Sequence, residues 1–115
     1  MRFDLPNANL IAVELYGANL KGANLKASDL KGANLEGAEL EGANLEAAKL
    51  QRANLKIANL KGANLEGADL HRAILKGANL KDANLIGALI VSTKMDGAII
   101  CNTTMPDGSV SYSGC

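Results

Sequence analysis

The sequence has no tryptophan, one histidine, two cysteines and three aromatic residues among its 115 positions. Any core must therefore be built from small and medium aliphatic side chains, within a hydrophobic share of 48%. Charge of one sign is missing too, because twelve Lys and Arg offset twelve Asp and Glu. Neutrality excludes the electrostatic footprint of a general nucleic-acid binder, and equally an acidic surface that imitates DNA. No stretch approaches the roughly 20 apolar residues needed to cross a bilayer. The longest apolar cluster, Ala88 to Val91, is far shorter, and no membrane association is expected. The start, Met1-Arg2-Phe3-Asp4, has no apolar signal region, so the expected location is cytoplasmic. Cys101 and Cys115 flank a turn-rich tail. They fit either two thiols or one disulfide, and two cysteines are too few for a disulfide framework.

What the chain has is one short repeat. Leu occupies every fifth position from Leu5 to Leu85, and the series continues as Ile90, Met95, Ile100, Met105 and Val110. Two residues earlier stands a small residue, as in Ala8, Ala18, Ser28 and Ala38, later Thr93, Ala98 and Thr103. Between them lies a polar residue, most often Asn, so the unit reads Ala-Asn-Leu-X-Gly with X usually Lys or Glu. A period of five suits no regular helix, where successive leucines would scatter around every side. On a continuous strand they would alternate between faces. Each Ala-Asn-Leu stretch does alternate like a strand, with Ala and Leu on one side. The chain must then turn before the next unit, and Gly suits that corner. The outcome is a coil with Ala and Leu inside and three residues of every five outside.

These units resemble the pentapeptide-repeat family, whose pattern is a small residue, Asn or Asp, Leu and two variable positions. The resemblance covers residues 3–105, with Leu present in seventeen consecutive units. It implies an all-β fold: a right-handed quadrilateral parallel β-helix with four pentapeptides per coil and about five coils. The charges at X pair slightly better at an offset of 15, whereas the non-Gly corners, such as Arg52/Arg72, favour 20. The four-sided form therefore comes from the resemblance. The expected organisation is a β-helix with its N-terminal cap over residues 1–105 and a capping tail over 106–115. Phe3, standing where a small residue belongs, is expected to plug the column. The Pro106-Asp107-Gly108 turn leads a tail whose Val110, Tyr112 and Cys115 are apolar enough to fold over the last coil.

Each chemistry-bearing feature has a bland reading that fits better than a catalytic one. His71 lies outward near Glu66 and Asp69, without convergent ligands for a metal or a nucleophile to serve. The expectation is no enzyme, no cofactor and no metal. Asn102-Thr103-Thr104 fits an N-glycosylation pattern that is common by chance and lacks an export signal. Three threonines are too few for a flat ice-binding array, and a period of five excludes the six-residue repeat of left-handed β-helical acyltransferases. With twenty residues per coil, Lys21 stacks with Glu41 and Lys61, Lys26 with Glu46, and Glu36 with Lys56. Such exposed pairs contribute roughly 0.2–1 kcal/mol each. The Asn ladder is read as structural, its side chains bonding one another or the corner backbone.

The informative departures are apolar residues at outward positions: Ile57, Ile74, and a C-terminal group of Ile86, Leu89, Val91 and Ile99. That group is the candidate interaction patch. The expectation is that the tail covers it, pinned by a Cys101–Cys115 disulfide; left uncovered, it would be a homodimer surface. The function expected is a non-enzymatic scaffold with a protein partner, as a monomer or weak homodimer. The alternative is a regulator binding a nucleic-acid enzyme such as DNA gyrase, as some family members do, which the neutral, mixed-sign surface disfavours.

Overall fold

A computed structural model describes residues 3–115; Met1 and Arg2 lie outside the described residues. Each unit makes the same tight turn. The amide of the small residue donates to the carbonyl of the preceding Leu, as from Ala23 to Leu20 at 3.0 Å. The third turn residue has positive φ at every corner from Asn7 to Asn102, the sign pattern of a type II turn. Gly fills half of these twenty corners and L-residues the other half.

Between turns, each Asn-position residue forms a parallel bridge to the residue twenty positions on, from Asp4↔Asn24 to Asn84↔Thr104. Twenty residues and four turns therefore close one coil, giving four sides and four corners. The register decides the offset that the charges left open, and the corner offset of 20 is the one observed.

Nearly every amide in a unit is accounted for, as buried backbone requires. Leu25 donates to Asn44 and Ala27 to Glu46, while Asn24 donates back to Phe3, each at 2.8 Å. The small residue's amide closes the turn. The fifth amide, that of X, is bonded by the Asn side chain: Lys26 N–H donates to Asn24 Oδ1 at 3.2 Å, and Lys61 N–H to Asn59 Oδ1 at 3.1 Å. The ladder thus bonds corner backbone. Asn Nδ2 groups donate to carboxylates rather than to one another, as Asn24 does to Asp4 and Asn59 to Glu39.

Leu25 through Leu85 and the alanines beside them form one buried column. A fully buried Leu contributes about 1.5–3 kcal/mol. Where a hydroxyl replaces the small residue it is bonded inside: Ser28 Oγ donates to Leu25 O at 2.7 Å, and Thr103 Oγ1 to Leu80 O at 2.7 Å.

The two ends differ. After Met105 the chain turns at Pro106–Ser109, and β1 (Thr103–Thr104) pairs antiparallel with β2 (Val110–Ser111). Cys115 is disulfide-bonded to Cys101, with Cα atoms 4.8 Å apart. Gly114 N–H donates to Ile100 O at 2.7 Å, and a Cβ there would lie 2.7 Å from Ile100 N, so only Gly fits. At the other end, Phe3 does not plug the column. It is half exposed and borders an apolar cavity of about 250 Å³ walled by Leu5, Leu10, Leu15 and Ala18. The ring stands in the wall of this cavity beside the first leucines and leaves its volume unfilled.

Candidate functional site

The tail does not cover the C-terminal apolar group. Ile86, Leu89, Val91 and Ile99 are 42%, 55%, 59% and 41% exposed. The hairpin instead follows Cys101–Met105, whose side of the coil its register and disulfide select.

Nor do the four residues share one surface. Leu89 bridges Asp69 in the column Asn9, Asp29, Lys49, Asp69, Leu89, and Ile86 and Val91 stand at the turns that bound this side. Ile99 is ten residues further, half a coil, in the column Asn19, Glu39, Asn59, Asn79, Ile99 on the opposite side. Three of the four therefore form a strip, bordered one coil earlier by Glu66, Asp69 and His71.

A second apolar surface was not singled out from the sequence: the N-terminal mouth. Phe3 is about half exposed in its wall, and Leu5 is 39% exposed. Repeat arithmetic carried the signal, since Leu5, Leu10 and Leu15 belong to the first of the described coils.

The charged positions form mixed ladders. Lys26 and Glu46 close to 3.2 Å, the register expected. Lys21/Glu41 and Glu36/Lys56 share columns without closing, and Glu36 Oε1 accepts from Asn54 Nδ2 at 3.2 Å instead. Lys31 approaches Asp29 at 3.9 Å. Arg52 and Arg72 occupy one corner in successive coils, and the Arg52 amide donates to the His71 carbonyl at 3.0 Å. A shallow groove there, bordered by Ile11, Lys31, Gln51 and His71, lies beside one carboxylate: Gln51 Nε2 donates to Asp69 at 2.8 Å, and the His71 amide to Asp69 at 3.0 Å. Ile57 and Ile74 stand apart from both apolar surfaces, Ile57 at a corner and Ile74 on a side. Among the described residues, no group of three or more His, Cys, Asp and Glu converges on a metal position, and no helix is long and apolar enough to cross a membrane.

The fold recurs in solved structures. HetL, a pentapeptide repeat protein involved in heterocyst differentiation regulation in the cyanobacterium Nostoc sp. strain PCC 7120, is 37% identical with a TM-score of 0.84. The match covers 94% of this chain and 60% of HetL, so the chain spans less than two thirds of that relative. Rfr23 from the cyanobacterium Cyanothece 51142 is 37% identical with a TM-score of 0.82, covering 84% of this chain and 80% of its own. A thylakoid-lumen protein of Arabidopsis thaliana is 30% identical with a TM-score of 0.71, covering 91% and 70%. No curated protein matches the chain. The family described as Pentapeptide repeats matches in eight copies over residues 2–26, 18–56, 28–67 and 58–90. With five-residue units, a twenty-residue register and a continuous Leu column, this chain belongs to the pentapeptide repeat family.

Proposed function

We propose that this chain is a non-enzymatic scaffold that docks a protein partner along the strip of Ile86, Leu89 and Val91. The observation that carries the reading is their exposure on one side of a rigid stack, with polar groups at the border. An apolar centre with a polar rim is the anatomy of a protein-binding patch. About five right-handed coils, a β-helix over residues 1–105 and a capping tail over 106–115 belong to the same proposal. So does the absence of cofactor, nucleic acid and membrane from its working. A DNA-shaped regulator of gyrase needs an acidic rod, and columns such as Lys21/Glu41/Lys61 speak against one.

The test is affinity capture from the source organism with the wild-type chain and an Ile86→Lys, Val91→Lys variant. A protein retained by the wild type and lost from the variant supports the reading. Equal capture by both, or capture by neither, overturns it.

A further inference from the structure

We infer that the side of the stack holding Arg52, Ile74 and Lys76 is a docking face for an acidic peptide segment of a partner protein. The register builds this side from the segments 12–16, 32–36, 52–56, 72–76 and 92–96, stacked one per coil. Two of them concentrate positive charge that the neutral total conceals. Segments 52–56 and 72–76 carry Arg52, Lys56, Arg72 and Lys76 and no acid. Arg52 and Arg72 fill one corner in successive coils. Lys56 and Lys76 stack at the side's other edge, where their carbonyls accept from the Gly37 and Ile57 amides. Ile74 lies between these edges in the column Asn34, Asn54, Ile74, Lys94, so a fifth cation follows it one coil on.

Within the described residues nothing offsets the cost of this arrangement. Like charges on neighbouring strands, about 5 Å apart, destabilise each other. None of the five cations makes an ion pair among the described residues, whereas Lys26 closes on Glu46 and Lys31 approaches Asp29. Both arginines also occupy left-handed corners, with φ of 59° and 60°, in the corner where Gly32 stands one coil earlier. Ile57, at the corner just past Lys56, has φ of 53° and is 58% exposed. Four departures from the Ala-Asn-Leu-X-Gly unit, Arg52, Ile57, Arg72 and Ile74, thus gather on one side and its corners within two coils.

The chemistry of the side selects its occupant. Unpaired guanidinium and ammonium groups call for anionic oxygens, and the two isoleucines call for aliphatic side chains among them. An acidic peptide with interspersed leucines supplies both. A nucleic acid would meet the cations without an aromatic platform, since the one aromatic on this side, Tyr16, is two coils from Lys56. Carboxylates also close the cationic zone along the stack: Glu36 precedes Lys56 at the turn, and Asp96 follows Lys76. The zone is therefore about 10–15 Å long, the reach of a few extended residues. A longer polyanion or an anionic membrane lying along this side would be set against those acids.

Fluorescence anisotropy with a labelled peptide of four Asp-Leu-Glu repeats tests this. The wild type should bind it, and more weakly as salt rises. Restoring the repeat consensus with Arg52→Gly, Ile57→Gly, Arg72→Gly and Ile74→Asn should weaken binding at least about tenfold. The unfolding midpoint of that variant should stay at or above the wild type's, which separates lost binding from lost fold. Lys61→Gln with Lys81→Gln removes the same two charges from the next turn and should keep binding within about twofold. Ile86→Lys with Val91→Lys should not weaken it, which separates this face from the lateral strip. A wild type that ignores the peptide, a consensus variant that binds like the wild type, or equal loss in the Lys61 and Lys81 variant overturns the proposal. So does tighter binding of an oligothymidine or of phosphatidylserine vesicles than of the peptide.

Discussion

At the scale of single residues, the corner is the strained element and Ile57 its most strained occupant. Its φ is 53°, a left-handed conformation that crowds a β-branched side chain. At 58% exposed, it regains little by burial. Ile57→Gly should therefore stabilise by roughly 0.5–1 kcal/mol, the relief of strain exceeding glycine's extra chain entropy. Chemical denaturation reads this directly, and an unchanged midpoint would mean the corner tolerates Ile without strain. The Asn position yields a reciprocal prediction. Asn59 accepts the Lys61 amide and donates to Glu39, so Asn59→Ala should lose about 1 kcal/mol. Which positions face inward, and why Gly recurs at corners, was legible from the period of five. The Asn ladder was legible only as a choice between bonding its neighbours and bonding the corner backbone; the turn geometry decides it, by setting the Asn oxygen over the amide two residues on.

Among the elements, the C-terminal hairpin depends on two local devices. Asp107 accepts hydrogen bonds from the Ser109 hydroxyl at 2.6 Å and from its amide at 2.9 Å. These bonds, the hydroxyl's first, hold the Asp107 carboxyl below the usual carboxylate range. A depressed folded pKa stabilises the turn above the unfolded value, and that contribution is lost as pH falls through the folded one. An NMR titration should show Asp107 titrating low, with Ser109→Ala moving it upward toward an ordinary aspartate; an unmoved titration would deny the hydroxyl its role. The disulfide closes a sequence separation of 14 residues. By loop entropy, Cys101→Ser with Cys115→Ser should destabilise the closed tail by about 3 kcal/mol. The coil stack should keep its β spectrum while protease cuts the tail, and equal protection in wild type and variant would contradict this. The turn itself was legible in Pro-Asp-Gly. The side it covers was not, because a tail's docking follows coil register, and closeness in sequence hid the half-coil between Leu89 and Ile99.

For the whole molecule, each coil touches only its neighbours, so stability is close to a sum of coil and interface contributions. Four-sidedness was hard to read from charge because exposed ladders, at a fraction of a kcal/mol per pair, leave only a faint mark on sequence. The ends were hard to read for another reason: the same Leu-Ala pattern serves a buried coil and a bare one. That contrast is measurable. Leu50 is wholly buried in the middle of the stack, and Leu50→Ala should lower stability by about 2–5 kcal/mol. Leu5, 39% exposed at the mouth, already meets solvent, so Leu5→Ala should lower stability by less than half as much. Equal losses in the two variants would mean that Leu5 is packed as tightly as the leucines in the middle of the stack.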